Sequence, residues 1–115
     1  MTKKIRDWLL ENGWELVAEQ ILLDDGRIYE ILVAERGESE KPYAVKKDAY
    51  LLVGPFLAEE RNDVFVQKWT HELAHWKKIV AQLDAAGHTE ANEQKRKELT
   101  EKIRLVEEEL GIENS

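Results

Sequence analysis

The segment HELAH at positions 71–75 is the pattern in this chain that most directly suggests chemistry. Two histidines four residues apart on a helix, His71 and His75, can bind zinc, and the intervening Glu72 can act as a general base. A catalytic zinc also needs a third protein ligand. The form of the motif with a further histidine ten residues after the first fails, because that position is Ala81.

The other form of the zinc motif takes its third ligand from a glutamate on an adjoining helix. The glutamates at possible distances are Glu90, Glu93 and Glu98. Trp69, Leu73 and Trp76 share one helix face, so His71 and His75 fall on the opposite face, away from such a partner helix. We therefore interpret the match of His71, Glu72 and His75 as chance and expect no metal site, although the two histidines could capture nickel or zinc during purification.

Basic side chains form clusters in the last third of the sequence, mixed with glutamates. The candidates for contact with a phosphate backbone are Lys77, Lys78, Lys95, Arg96 and Lys97. One interpretation is a solvated face with ion pairs three or four residues apart. The other is an arm that contacts structured RNA, which proteins recognise largely by shape and backbone. Both stay open at this point.

Composition limits the classes of function. The net charge of −7 argues against non-specific nucleic-acid binding by the chain as a whole. The absence of cysteine excludes disulfides and thiol nucleophiles. No apolar run approaches the length of a membrane span, and the first residues lead into an amphipathic helix rather than a signal peptide. We expect a soluble, cytoplasmic protein with no membrane partner.

The elements before these motifs are a short helix and a β-hairpin. Residues 3–12 place Ile5, Trp8 and Leu9 on one helical face. Residues 14–23 and 28–35 are rich in β-branched and aromatic side chains, and Asp25-Gly26 between them is typical of a two-residue turn. The expected cross-strand pairs are Leu23 with Ile28, Val17 with Ala34, Leu22 with Tyr29 and Ala18 with Val33.

Both faces of this hairpin are substantially apolar, which is typical of strands inside a larger sheet covered by helices on both sides. The remainder of the sequence offers too little to cover them, since one short helix precedes the hairpin and only loop and long helix follow it. Residues 36–47 are polar and predict a mobile surface loop or linker. We therefore expect the cover to come from residues outside this chain or from self-association with a second copy.

After Gly54-Pro55, two long helices are predicted, about 57–86 and from an N-cap at Thr89 to Leu110, with a turn at Gly87. Their apolar residues repeat with heptad spacing. The seam residues are Val66, Trp69, Leu73, Trp76, Val80 and Leu83, then Leu99, Ile103, Val106 and Leu110. This pattern predicts an antiparallel helical hairpin with its tip near residues 85–92.

Two stretches carry a resemblance to a known family. They are IRDWLLENGWELVAEQILLDDGRIYEILVAE and, further on, LLVGPFLAEERNDVFVQKW, which together span about residues 5–76. The chain resembles the C-terminal part of the bacterial tRNA methyltransferases that modify adenine 22 at N1. The most specific elements are YEILVAE after the Asp-Gly turn and LVGPFLAEERN, because ordinary helix or hairpin patterns do not require them.

The resemblance implies a Rossmann-like methyltransferase sheet that uses S-adenosylmethionine, with a C-terminal coiled-coil arm thought to help hold tRNA. The hairpin would supply the sixth strand and an antiparallel seventh strand. The expected fold class is then α+β as supplied: a C-terminal helix and antiparallel β-hairpin of that Rossmann-like fold, followed by an antiparallel helical hairpin. We expect residues 1–53 to belong to the methyltransferase domain and residues 54–115 to form the arm.

The family's cofactor loop, its acidic ribose-binding residue and its adenine pocket lie upstream, and nothing in this chain matches them. We therefore expect no catalytic or cofactor-binding residue here, and no methyl transfer by this chain without its N-terminal catalytic half. The expected partners are that half and, through the parent enzyme, tRNA. The alternative function is a non-catalytic coiled-coil interaction module, and the least favoured is a zinc hydrolase.

Overall fold

The structure, a computed structural model, describes residues 2–112. In chain order the elements are α1 (Thr2–Glu11), β1 (Trp14–Asp24), β2 (Arg27–Arg36), a 3-10 turn (Lys41–Tyr43), α2 (Lys47–Val53), α3 (Pro55–Glu60), α4 (Asp63–Ala85) and α5 (Glu90–Leu110). The two strands form one antiparallel sheet. The predicted mixture of helices and an antiparallel hairpin is thereby confirmed. None of the helices in residues 2–112 is long and apolar enough to cross a membrane.

The chain divides into two compact units, which we call the hairpin unit, up to Val66, and the arm unit, from Gln67 onwards. The hairpin unit holds the sheet together with α1, α2, α3 and the first residues of α4. The arm unit holds the rest of α4 and all of α5. The division at 53/54 into a methyltransferase domain and an arm stays a prediction about the family fold.

The turn between the strands has the geometry that its sequence predicts. Asp25 and Gly26 have φ of 50° and 75°, as a two-residue turn of the left-handed kind requires. Three of the four predicted cross-strand pairs are confirmed, and Leu23 indeed lies opposite Ile28. The pair of Val17 with Ala34 is wrong, because a β-bulge between Leu16 and Ala18 places Leu16 opposite Ala34.

One face of the hairpin is covered by this chain itself. Leu16 is buried with Tyr43 of the 3-10 turn and Leu51 of α2, and partly buried side chains of other elements pack against them. The prediction of a mobile surface loop over residues 36–47 is therefore wrong in part, since this segment contributes a buried aromatic ring. The expectation that the chain lacks cover for the hairpin is wrong for this face.

The opposite face of the hairpin remains exposed within the hairpin unit. Along β2, side chains alternate between half-buried and exposed. The exposed apolar side chains are Tyr29, Ile31 and Val33, at 44%, 49% and 50% of their full accessibility. We call these three residues the open face.

Helix α1 turns a different side inward from the one its apolar residues predict. Ile5 and Trp8 are about half exposed, whereas Arg6 is completely buried. Of the three residues on the predicted apolar face, Ile5 and Trp8 are therefore largely outside the core, while Leu9 packs against the core cluster. The reason is a set of glutamates on the hairpin that binds Arg6.

The single helix predicted over 57–86 is interrupted. Arg61 ends α3 in a left-handed conformation with φ of 46°, and Asn62 begins the next helix by accepting a hydrogen bond from the Phe65 N–H at 2.9 Å. The side-chain amide of Asn62 also donates to the Ile21 carbonyl of β1 at 3.4 Å. After this restart Phe65 is buried and Val66 is exposed, so the place of Val66 in the predicted seam is wrong.

The second long helix begins and ends as its sequence predicts. The Thr89 hydroxyl accepts a hydrogen bond from the Asn92 N–H at 3.1 Å, and Gly111 ends α5 with φ of 71°. The buried apolar side chains of the arm unit are Trp69, Leu73, Leu99 and Val106, all of them predicted seam residues.

Candidate functional site

Two of the five candidate phosphate-binding cations are engaged within the arm unit. Lys77 Nζ lies 3.0 Å from Glu107 Oε2, and Arg96 Nε lies 2.7 Å from Asp84 Oδ1. Both pairs join α4 to α5, so the two helices run antiparallel. Because each cation already has a carboxylate partner, contact with a phosphate would have to compete with that partner.

The remaining three candidates, Lys78, Lys95 and Lys97, are exposed on the arm unit. Among residues 2–112 none of the three forms an ion pair or a side-chain hydrogen bond. Lys97 borders an open depression along α5 that is also lined by Glu90, Glu93 and Glu101. These lysines are thus accessible to a polyanion, although the surroundings of Lys97 are acidic.

The HELAH segment lies in the arm-unit part of α4, with His71 and His75 exposed and Glu72 half-buried. Across the part of the chain that the structure describes, no three histidine, aspartate or glutamate side chains are grouped as metal ligands. Residues 2–112 therefore offer no third ligand near the two histidines. The interpretation of the motif as a chance match stays a prediction.

Sequence patterns did not reveal the most densely bonded site, a buried ionic cluster in the hairpin unit centred on Arg6. Its Nε donates to Glu19 Oε2 at 2.8 Å, and its Nη2 donates to Glu30 Oε1 at 3.2 Å. The third donor group, Nη1, lies 3.3 Å from the Leu52 carbonyl. One arginine thus joins α1 to both strands and to the end of α2.

The Glu19 carboxylate extends this cluster to the start of α3. Its Oε1 accepts a hydrogen bond from the Phe56 N–H at 3.0 Å. Burial raises the pKa of Glu19 above its ordinary value of 4.5, while Arg6 and the backbone hydrogen bonds act in the opposite direction. The charged carboxylate is therefore held at a desolvation cost.

The buried cluster explains why the block LVGPFLAEERN contains a glycine at position 54. A Cβ atom at Gly54 would lie 2.6 Å from Arg6 Nη2 and 2.7 Å from Glu19 Oε2, and the residue has φ of +96°. Pro55 then occupies the first turn of α3, where its missing N–H is not needed. In the sequence, the signal that could have indicated this buried cluster was the presence of Glu19 and Glu30 on the inward side of otherwise apolar strands.

The fold resembles part of the structure of proteins in a known superfamily. A Streptococcus agalactiae structure described as a protein in the NADB-Rossmann superfamily aligns with a TM-score of 0.71 and 32% identity, covering 95% of this chain and 43% of that one. The structural neighbours of this chain thus include a Rossmann-superfamily protein.

The particular family follows from sequence. A family model described as tRNA (adenine(22)-N(1))-methyltransferase, TrmK, matches residues 1–108. A Bacillus subtilis protein of that description is 47% identical over 105 residues, which is 90% of this chain and 44% of the relative. The chain belongs to the tRNA (adenine(22)-N(1))-methyltransferase family, which confirms the resemblance seen in the sequence.

Solved structures of similar proteins agree with this family assignment. The crystal structure of the B. subtilis m1A22 tRNA methyltransferase aligns with a TM-score of 0.89 and 45% identity, covering 96% of this chain and 47% of that one. A Streptococcus pneumoniae structure is described as a putative tRNA (m1A22) methyltransferase in complex with S-adenosyl-L-methionine. It aligns with a TM-score of 0.66 and 34% identity, covering 95% of this chain and 42% of that one. This chain therefore spans about half the length of the relatives it matches.

Proposed function

We propose that this chain acts as the C-terminal part of an S-adenosylmethionine-dependent tRNA adenine-N1 methyltransferase. It contributes the edge of the catalytic sheet and an arm that positions tRNA, and it is not catalytic alone. The observation that carries the proposal is the family match over residues 1–108 in a chain that covers only 44% of its B. subtilis relative.

The open face of the hairpin supports the first half of this proposal. Tyr29, Ile31 and Val33 are side by side on one surface of a two-stranded sheet, and each is close to half exposed. A sheet of two strands is marginal in water unless its apolar surface is buried. In the proposed enzyme this face is buried against the catalytic half. Burial against a second copy of this chain, the self-association expected from the sequence, is the alternative and stays a prediction.

The cofactor belongs to the other half in this proposal. The S. pneumoniae relative was solved with S-adenosyl-L-methionine, and this chain carries no glycine-rich loop or acidic ribose-binding residue that matches the family pattern. The chain therefore contributes neither cofactor-binding nor catalytic residues. A cytoplasmic location, where tRNA is modified, is part of the same proposal.

The arm unit supplies the proposed contact with tRNA. The candidate contacts are the cations Lys77, Lys78, Lys95, Arg96 and Lys97, of which the two engaged by carboxylates would have to release them. Structured RNA suits such an arm because recognition of A-form helices rests on shape and phosphate contacts. The coiled-coil character of the arm and its RNA binding are both part of this proposal.

The alternative functions have less support. A coiled-coil interaction module needs an apolar seam that a partner helix can reach, whereas Trp69, Leu73, Leu99 and Val106 are already buried. A zinc hydrolase needs a third ligand, and residues 2–112 offer no such group around the HELAH segment.

The test is complementation of methyl transfer. The 115-residue chain is incubated with tRNA and radiolabelled S-adenosylmethionine, alone and together with a separately produced N-terminal half of the B. subtilis relative. We expect no transfer by either part alone and transfer to adenine 22 by the mixture. Transfer by the chain alone, or none by a mixture that co-elutes as a complex, contradicts the proposal.

A matched pair of variants links that test to the open face. Ile31→Glu places a charge in the middle of the open face, whereas Glu35→Lys alters an exposed charge at the far end of the same strand. We expect Ile31→Glu to abolish complementation and Glu35→Lys to retain it. Equal activity of both mixtures would show that the open face is not the docking surface.

A further inference from the structure

The side of α4 that faces away from α5 carries a row of polar residues. His71, His75, Lys78 and Gln82 follow one another at spacings of four, three and four residues, and all four are exposed. This is the period of the predicted seam residues Trp69, Leu73 and Trp76, displaced to the opposite side of the helix. We call the four exposed residues the α4 stripe.

No carboxylate lies within the α4 stripe. The arm-unit part of α4 contains two acidic residues, Glu72 and Asp84. Glu72 is half-buried, a quarter turn from the stripe, and Asp84 is bonded to Arg96 on the α5 side. The stripe therefore presents one ammonium group, two imidazoles and an amide to solvent.

The outward side of α5 has the opposite character. The exposed carboxylates of α5 are those of Glu90, Glu93, Glu98, Glu101 and Glu108. Arg104 is held between two of them, with Nε 3.0 Å from Glu101 Oε2 and Nη1 2.7 Å from Glu108 Oε1. Lys97 shares its depression with three glutamates and with Arg96, whose charge is already paired with Asp84. A phosphate approaching this side meets more negative than positive charge.

From this asymmetry we infer that tRNA phosphates contact the α4 stripe and not the outward side of α5 around Lys97. The inference rests on the proposed function and names which side of the arm carries it. Lys78 neutralises a phosphate, while the imidazole N–H groups of His71 and His75 and the amide of Gln82 donate hydrogen bonds to phosphate oxygens. The HELAH histidines thereby have a role in RNA binding that requires no metal.

The experiment measures tRNA binding by the 115-residue chain through fluorescence anisotropy at several salt concentrations. Lys78→Glu is compared with Lys97→Glu, because both replace an exposed lysine and change the net charge equally. The pair His71→Glu with His75→Glu is compared with Gln94→Glu plus Thr100→Glu, two exposed positions on α5. Circular dichroism melting of each variant establishes that it is folded.

We expect Lys78→Glu to weaken binding by roughly tenfold and to lower the slope of log affinity against log salt by about one, as loss of a phosphate contact does. The His71/His75 double variant weakens binding to a similar extent, and the α5 variants change it less than about twofold.

Three results would overturn the inference. Greater loss from Lys97→Glu than from Lys78→Glu would move the contact to α5 and leave the proposed function standing. Equal loss from all variants would indicate a response to net charge alone. No salt-dependent tRNA binding by the unaltered chain would remove both the inference and the arm's proposed role, while the complementation of methyl transfer would still test the hairpin unit separately.

Discussion

Two arginines in this chain, one in each unit, lie between two glutamates, and they differ in their exposure to water. Arg6 binds Glu19 and Glu30 with no exposed side-chain surface. Arg104 binds Glu101 and Glu108 with 52% of its side chain exposed. Water already solvates the surface set, so its contribution to stability is small. The buried set has lost that solvation, so every bond within it must be made.

The same comparison extends to the pKa values of the glutamates. Burial raises the pKa of Glu19 despite its arginine partner. The hydrogen bond from Arg104 lowers the pKa of Glu101. Similar pairings of charge therefore give opposite shifts, because desolvation is the largest influence on the pKa of Glu19, whereas the hydrogen bond from Arg104 outweighs desolvation at Glu101.

The largest expected effect is from removal of the buried arginine. Arg6→Ala leaves Glu19 and Glu30 buried without their cation, and we expect a loss of about 3–5 kcal/mol in the free energy of unfolding. Arg104→Ala, the matched control, should leave stability unchanged within error. Urea denaturation of the chain measures both. Similar losses of unfolding free energy in the two variants would contradict the distinction between the buried arginine and the exposed one.

The second-largest expected effect tests how tightly the buried ionic cluster around Arg6 is packed. Gly54→Ala places a methyl group against Arg6 and Glu19 at a residue with φ of +96°, and we expect it to cost about 1–3 kcal/mol or more from strain and displacement. Gly26 has φ of +75°, and no described atom lies within 4 Å of a Cβ added there. Gly26→Ala should therefore cost only the strain of its backbone conformation. A Gly54→Ala protein as stable as Gly26→Ala would indicate a loosely packed cluster.

The pH dependence of stability should have opposite signs at the two sites. Glu19 has a raised pKa, so its stabilising contribution is complete below its ordinary value of 4.5 and is lost as pH rises through the folded-state pKa. Glu101 has a lowered pKa, so its contribution is present above 4.5 and is lost as pH falls through the folded-state value.

Substitution by glutamine separates these contributions. Relative to Glu19→Gln, the unaltered chain should lose stability as pH rises from 4 to 7. Relative to Glu101→Gln, it should lose stability as pH falls below 4.5. Urea denaturation across this pH range gives both differences. The same sign for both variants would show that burial does not dominate at Glu19.

The smallest effect concerns the tyrosine beside the buried set. The hydroxyl of Tyr43 is buried and has no hydrogen-bond partner in residues 2–112, and burial raises its pKa to about 12. Tyr43→Phe should leave thermal stability unchanged or raise it by up to about 1 kcal/mol, because an unsatisfied polar group is removed. A clear loss would reveal a polar contact between Tyr43 and the cluster.

Local signals in the sequence predicted much of the fold. Asp25-Gly26 predicted the hairpin turn, and Thr89 and Gly111 predicted the ends of α5, because each acts through backbone groups within a few residues. The bulge at Val17 and the break at Arg61 were missed. The break depends on Asn62, whose second bond reaches the Ile21 carbonyl 41 residues away, and no local pattern encodes such a contact.

The candidate site divides in the same way. The positions of the basic residues and of His71 and His75 are evident from the sequence. Which cations are already paired is not, because Lys77 and Glu107 are 30 residues apart in the chain. The difference between the carboxylate-free side of α4 and the acidic side of α5 appears only when the seam residues define which side of each helix faces outward.

The sequence by itself determined the family and the order of the main elements, which are the first helix, the hairpin and the two long helices, since these rest on motifs and periodicity along the chain. Only the tertiary structure decided which of two similar arginine sets is buried, which face of the hairpin lacks cover, and which lysines remain accessible. The physical reason is that burial and ion pairing depend on residues brought together from distant parts of the chain, where desolvation changes the energy of a charge far more than its sequence neighbours do.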